Sequence, residues 1–450
     1  MSNRRLAAFS DALLIVLGLS AGVVNVSLAQ LPIIRASICL SDWGLWSSRE
    51  IRWGEVTIIH MPSGDSLAVG SLRLTMPPVL TKRHVIPAVP AVTGDTAEHR
   101  ATWVWNTADI LRRETLRSEL LAFLEMERLD RVFLQLPATV GDSTGQRSLV
   151  ADGLASLVVS LHARGIGVVA MEGGAEFARP GQHAALANII RAVGDYNRRA
   201  AADARFDGIH LDVEPYLLPG FGGMRRAEIV SSYLAMLSAV REQCRADSLS
   251  LAVDIPFWFD IGDAGDTSST ILDRVLPLVD EICVMSYRTT VAGENGIIAL
   301  AQDEVEAAAA AGKRVWIAIE TSPLPDEHLF TISGPPRRGL PSQSAETYLV
   351  AFYDHGDSAD VFFSPGIRLN DLREMLGKEG RSDASVSVWD RSYLSPLPAK
   401  NITFAHRTRA EVNTAIRSLR KRFRAVPGFA GIAVHHWGSF RLLPPGADVR

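Results

Sequence analysis

From Ala101 onward, short apolar runs alternate with longer stretches whose apolar residues recur near a 3.6-residue period. Eight runs stand out: ATWVWN, DRVFLQLP, GIGVVAMEGG, FDGIHLDVEP, SLAVDIPFW, EICVMSY, RVWIAIE and FAGIAVHHW. Each reads as a strand. Between them, ETLRSELLAFLEMERL, RAEIVSSYLAMLSAVREQCRA and QDEVEAAAAAGK read as amphipathic helices. Strand–helix alternation repeated eight times is the pattern of an α/β fold of the (β/α)8 or TIM barrel type. An open doubly wound sheet would call for a Gly-rich phosphate turn after the first strand, and none follows ATWVWN.

Two parts of the chain break this rhythm. Residues 30–98 carry short alternating runs, IRWGEVTIIHM and LAVGSLRLTM, separated by Pro62-Ser63-Gly64-Asp65 and followed by a Pro-punctuated linker from Pro87 to Gly94. They read as a small β-rich segment. The connection between strands seven and eight is far longer than the others. Its end, RTRAEVNTAIRSLRKRFRAV, is the helix expected before strand eight; the part before it, about Thr321 to Asn401, reads as an insertion on the catalytic face, a lid or substrate wall.

The N-terminus has its own pattern. Arg4 and Arg5 precede an apolar run from Ala12 to Ala29, with Ser27 and Ala29 at the −3 and −1 positions of a cut. Residues 1–29 therefore read as a signal peptide, which makes the protein exported, periplasmic or secreted. Left uncleaved, the same run would anchor the chain in a membrane, the one route to a membrane partner. The barrel then occupies residues 99–450, with its insertion at about 321–401.

Composition narrows the function classes. A formal net charge of −4 over 450 residues gives no reason to expect nucleic acid as a partner. Three cysteines, Cys39, Cys244 and Cys283, make neither a disulfide framework nor a zinc spacing. No Ser-His-Asp order, P-loop or HExxH motif is present. No cofactor is implied.

In a barrel of this kind the active site is built from the C-terminal ends of the strands. Those ends supply Trp103, Trp105 and Asn106; Gln135; Glu172; His210, Asp212 and Glu214; Asp254 and Trp258; Tyr287 and Arg288; Glu320; and His435, His436 and Trp437. Along FDGIHLDVEPY, residues 206–216, His210, Asp212 and Glu214 share one side of a strand and Ile209, Leu211 and Val213 the other. Ionisable groups stacked on one buried face are costly unless paired or used. Asp207 has helix-facing parity and reads as a packing or capping residue. His210 reads equally well as a core histidine. Carboxylates and Trp rings at one mouth suit a sugar: acids for the glycosidic bond, indoles to stack on pyranose faces.

FDGIHLDVE resembles the strand-four signature DGxDxDxE of family 18 glycoside hydrolases, the chitinase-like barrels. Asp207, Asp212 and Glu214 match, and His210 stands where the middle Asp belongs. MEGG, residues 171–174, resembles the family's SxGG on strand three, with Met171 in place of Ser. MSYR, residues 285–288, resembles its MxYD on strand six, with Arg288 in place of Asp. Trp437 falls where the family carries a Trp on strand eight, at the floor of the −1 sugar site. The resemblance covers about residues 99–450. It implies Glu214 as general acid and then base, Asp212 as the group orienting a 2-acetamido substituent, and Tyr287 as a donor to that acetamide. A polysaccharide or oligosaccharide is the implied substrate, an amino-sugar polymer among the candidates. The two departures bear on this: His210 would hold Asp212 ionised if protonated, and Arg288 would bind an acidic sugar or neutralise Glu320 or Asp212.

Two other readings stay open on the same residues. Glu214 with Glu320 resembles the acid/base and nucleophile of two-carboxylate retaining glycosidases, although Val213 stands where that clan has Asn. A lectin-like sugar binder with little turnover is the other; the retained Glu214 speaks against it.

Overall fold

The computed structural model describes residues 34–39, 55–61, 68–75, 99–137, 140–141, 147–149, 151–218, 221, 225–260, 269–293, 295–324, 327–332, 337–342, 348–354 and 358–446. The expected signal segment 1–29 and the linker Pro87–Gly94 lie outside them.

The eight apolar runs become eight parallel strands that pair in chain order and close, strand eight against strand one. They are Arg100–Val104, Arg131–Gln135, Gly167–Gly173, Gly208–Asp212, Ser250–Pro256, Glu281–Met285, Arg314–Glu320 and Phe429–His435. The fold is a (β/α)8 barrel. Its interior is filled rather than hollow. Near the N-terminal end of the strands Arg131 donates twice to Glu281, at 3.1 and 2.9 Å, and the Trp316 indole donates to the same carboxylate at 2.8 Å. Burial would raise the Glu281 carboxyl, but the charges of Arg131 and Arg314 outweigh it and hold it low. One layer up, Phe133 stacks on His210 with ring centroids 4.0 Å apart, and Trp103 meets Phe133 edge-on at 4.9 Å. With these layers closed, chemistry is confined to the C-terminal mouth.

The connecting helices follow the sequence pattern. Helix Arg409–Phe423 opens on a capping box between Thr408 and Glu411 and buries Val412, Ala415, Ile416, Leu419 and Phe423, the stripe expected at 3.6 periodicity. Each large apolar member contributes about 1.5–3 kcal/mol on burial. Asp207 accepts from Val168 N at 2.6 Å and from His162 at 3.3 Å, so it ties strand three to helix Leu154–His162. That is the packing and capping role its parity predicts.

A second unit contains an eight-stranded sheet. Its path runs 34–39, 358–365, 348–354, 387–397, 327–332, 55–61, 68–75, with 337–338 joining 387–397. Strands from the N-terminal segment and from the long insertion thus share one antiparallel sheet, which two separate sequence segments do not announce. Helix Leu369–Lys378 packs Leu369, Leu372 and Leu376 against Leu349, Phe362 and Val388 to give this unit its own core.

Among the described residues no helix is long and apolar enough to cross a membrane, and no group of three or more His, Cys, Asp or Glu is arranged to hold a metal ion.

Candidate active site

Strand four ends at Asp212, and the chain runs on through Glu214 into a single 3-10 turn at Pro215–Leu217. Glu214 is therefore two positions beyond Asp212 and partly exposed at the mouth. Strand three comes very close here. Gly173 pairs with Asp212, and a Cβ on Gly173 would lie 2.5 Å from the Asp212 carbonyl oxygen. Gly174, at φ +141°, donates its N–H to that same oxygen at 3.0 Å. The two glycines of MEGG thus fix the backbone from which Asp212 projects.

Beneath Asp212 lies a buried dyad. Asp254, on strand five, accepts from His210 Nε2 at 2.8 Å and from the Trp103 indole at 3.2 Å, both at Oδ2. His210 is fully enclosed and Asp254 is 3 % exposed. Since the carboxylate takes two hydrogen bonds, the histidine proton sits on Nε2. The Asp212 carboxyl is pushed up to about 7, first by burial and then by the charge of Asp254; the charges of His435 and His210 oppose this. His210 thus does not hold Asp212 firmly ionised. Its proton is directed to Asp254 instead.

Across the mouth a second acid–imidazole pair joins strands seven and eight. Glu320, 2 % exposed, accepts backbone N–H groups from Thr321 at 2.7 Å and Ser322 at 2.6 Å through Oε1, and His435 Nδ1 at 2.8 Å through Oε2. Burial works to raise Glu320, but the charge and hydrogen bond of His435 and the Ser322 N–H outweigh it and hold the carboxyl low. For His435 the balance runs the other way. Burial alone would lower it, and Glu320, then Asp212 and Asp254, raise it. The Trp105 indole donates to His435 Nε2 at 3.1 Å, orienting the ring further.

Tyr287 is buried just past strand six, its ring 6.3 Å from that of His435. Burial, then the charges of Glu320, Asp254 and Asp212, push its hydroxyl far up, so it stays a hydrogen-bond donor. Arg288 does not neutralise Glu320 or Asp212 as its sequence position suggests. Its guanidinium donates to the Tyr287 carbonyl at 2.5 Å and lies 5.4 Å from the centre of the Phe257 ring. Strand six ends at Met285; continuing its alternation, Tyr287 has the inward parity of Cys283 and Arg288 the opposite one. Burial lowers Arg288 to about 10.

The remaining candidates spread out. Gln135 accepts the Asn106 N–H at 2.9 Å and so supports the start of helix Thr107–Arg112. Glu172 accepts the N–H of Gly173 at 3.1 Å. Trp258 is buried in the turn after strand five, edge-on to Phe259 at 5.2 Å. Trp437 is not on strand eight; it opens the short helix Trp437–Phe440, buried, with Arg441 4.9 Å from its ring centre. His436 caps that helix by accepting the Gly438 N–H at 2.9 Å, and burial lowers it to about 4. Cys283 is a buried thiol facing the barrel centre, as an apolar run predicts.

Asp254 and His435 are on the list of strand-end residues, but sequence reasoning gives neither a role. Their partners lie on other strands, and parity is the only local signal that they face inward.

No family model matches this chain, and no curated protein does. Similar solved structures include a chitinase from Chromobacterium violaceum ATCC 12472, at 14 % identity and a TM-score of 0.38 over 76 % of this chain and 95 % of that one. A chitinase from Rhizomucor miehei shows 15 % identity and a TM-score of 0.37 over 74 % and 93 %. The Bacillus megaterium QM B1551 spore cortex-lytic enzyme SleL shows 13 % and 0.38 over 76 % and 71 %. Likenesses this distant say nothing of substrate.

Proposed function

We propose that this chain is an exported glycoside hydrolase of the family 18 type, acting on a polysaccharide or oligosaccharide that contains 2-acetamido sugars. One observation carries the reading: at the mouth of a closed barrel, a carboxyl held near pH 7 by burial and by Asp254 ends strand four, two residues before Glu214. Asp212 is then able to hold or release a proton at neutral pH, as a group that steers an amide must.

The steps follow from this arrangement. Glu214 protonates the leaving glycosidic oxygen while the acetamide carbonyl oxygen of the same sugar bonds to the anomeric carbon. Asp212 accepts the acetamide N–H, and the neutral Tyr287 hydroxyl donates to its carbonyl. Water, deprotonated by the Glu214 carboxylate, then opens the cyclic intermediate with retention. This substrate-assisted route needs one acid/base rather than two carboxylates. Glu320 is ill suited as a nucleophile, since both its oxygens are already engaged by two N–H groups and His435. Its support for His435 is the better use.

Release of reducing ends from N-acetylglucosamine oligomers, their deacetylated forms and a wider glycan panel tests the reading, with Glu214→Gln as control. Cleavage that requires the acetamide and is lost in the variant supports it. Cleavage only of sugars without the acetamide, lost in Glu320→Gln, points to the two-carboxylate mechanism. Binding without cleavage by both proteins across the panel marks a lectin.

A further inference from the structure

We infer that Asp212 and Asp254 are joined through one shared proton between their Oδ1 oxygens, an acid–carboxylate pair spanning strands four and five. The register places them. Strand four pairs in parallel with strand five through Gly208 with Ser250, His210 with Ala252 and Leu211 with Val253; one step on, Asp212 stands beside Asp254 on the inward face.

Their oxygens show the same thing from another side. Asp254 Oδ2 is occupied by His210 and Trp103, while its Oδ1 is enclosed with no hydrogen-bond partner. Asp212 Oδ1 is also enclosed and without a partner. Two buried acceptors with no donor each bear the full loss of hydration. Two ionised carboxylates side by side in such a place also repel. One proton between the two Oδ1 atoms removes both costs. The Cys283 thiol faces Asp254 as well but is only a weak donor.

The surrounding charges are compatible with this. Toward Asp212 face Asp254 from strand five, His210 from its own strand and His435 from strand eight; Glu214 follows two residues beyond the end of that strand four. Tyr233 of helix Arg226–Ala246, Cys283 and Tyr287 also face the two carboxyls; burial first, then these carboxyls (for Tyr287, Glu320 ahead of them), push all three upward, so they stay neutral. Strand three contributes only Gly173 at this level. A carboxyl raised by burial and by its neighbour is what a shared proton produces.

The pair itself rests on geometry and not on any activity. Its use rests on the hydrolase reading, in which Asp254 is a positioning residue that acts through Asp212. Difference infrared spectroscopy of the protonated carboxyl stretch, followed through a pH titration of the full chain, tests the pair without turnover. Asp260 and Glu304 are also raised by burial, so the signal is taken as the difference between the native chain and Asp212→Asn. The expected result is one carboxyl that loses its proton near pH 7, and in Asp254→Asn loses it well below neutrality. Should Asp254→Asn not fold, Trp103→Phe serves instead: with one donor fewer on Asp254 Oδ2, the step moves up in pH. No protonated carboxyl in the native difference near neutrality, or a step unmoved by the substitution at Asp254 or Trp103, overturns the pair. Failure here leaves the glycan assay untouched, and failure of the assay leaves the titration standing.

Discussion

His210 Nε2 and Asp254 Oδ2 lie 2.8 Å apart on neighbouring strands, both buried, beneath the Asp212 carboxyl. The contact explains how a histidine can occupy the strand face that also carries Asp212. Its proton is spent on Asp254, its ring is stacked on Phe133, and its charge is not needed at the mouth.

Replacing His210 with Leu removes one of the two donors that stabilise the enclosed Asp254 carboxylate. Breaking one partner of such a pair typically costs roughly 3–5 kcal/mol. A urea titration should show a lower midpoint with little change in slope. A loss below about 1 kcal/mol would mean that Asp254 does not rely on His210.

Glu214→Gln should fold as well as the native chain, since the side chain is partly exposed, with a stability change within about 0.5 kcal/mol. Its glycosidase rate should fall roughly 10²–10⁴-fold, the usual share of a general acid/base. Parallel thermal melts and rate measurements separate the two effects; a variant with native rate removes Glu214 from the mechanism.

Asp212 makes stability depend on pH in an unusual sense. Its folded value is raised from 3.8 to about 7, so between these values the folded state holds a proton that the unfolded state has lost. Stability from this group is complete below about pH 4 and is lost as pH rises through about 7. Asp212→Asn should therefore be more stable than the native chain at pH 8, by up to a few kcal/mol at about 1.4 kcal/mol per pH unit. The gap should close toward pH 4. Denaturation at the two pH values checks it, and a gap that is constant or reversed counts against the raised carboxyl.

Gly173→Ala forces a methyl to within 2.5 Å of the Asp212 carbonyl oxygen. Strands three and four must part there, at a cost of about 1–3 kcal/mol. Because the displaced atoms carry Asp212, kcat should fall more than KM rises. If stability falls and kcat is unchanged, the close approach serves packing alone.

The barrel, and which residues end its strands, were legible in the amino-acid sequence because both are local properties. Eight apolar runs with helical stretches between them fix strand number and order, and a residue at the end of such a run lies at the mouth wherever the strand pairs. FDGIHLDVE puts His210 and Asp212 on one strand face by alternation alone, with Glu214 two residues on, and MEGG marks where strand three approaches it. Which groups pair across the mouth was not legible. His210 meets Asp254 across 44 positions and Glu320 meets His435 across 115, contacts made by barrel closure and not by any spacing along the chain. The same is true of the sheet that unites strands 34–39, 55–61 and 68–75 with the insertion, since an antiparallel strand carries no mark of its partner. Arg288 shows the reason from the other side. Its charge suggested a carboxylate partner, yet three residues past strand six it lies against the Phe257 ring instead. Sequence determined which side chains reach the mouth. Only the tertiary structure, through burial and the charges it brings together, decided which of them hold protons.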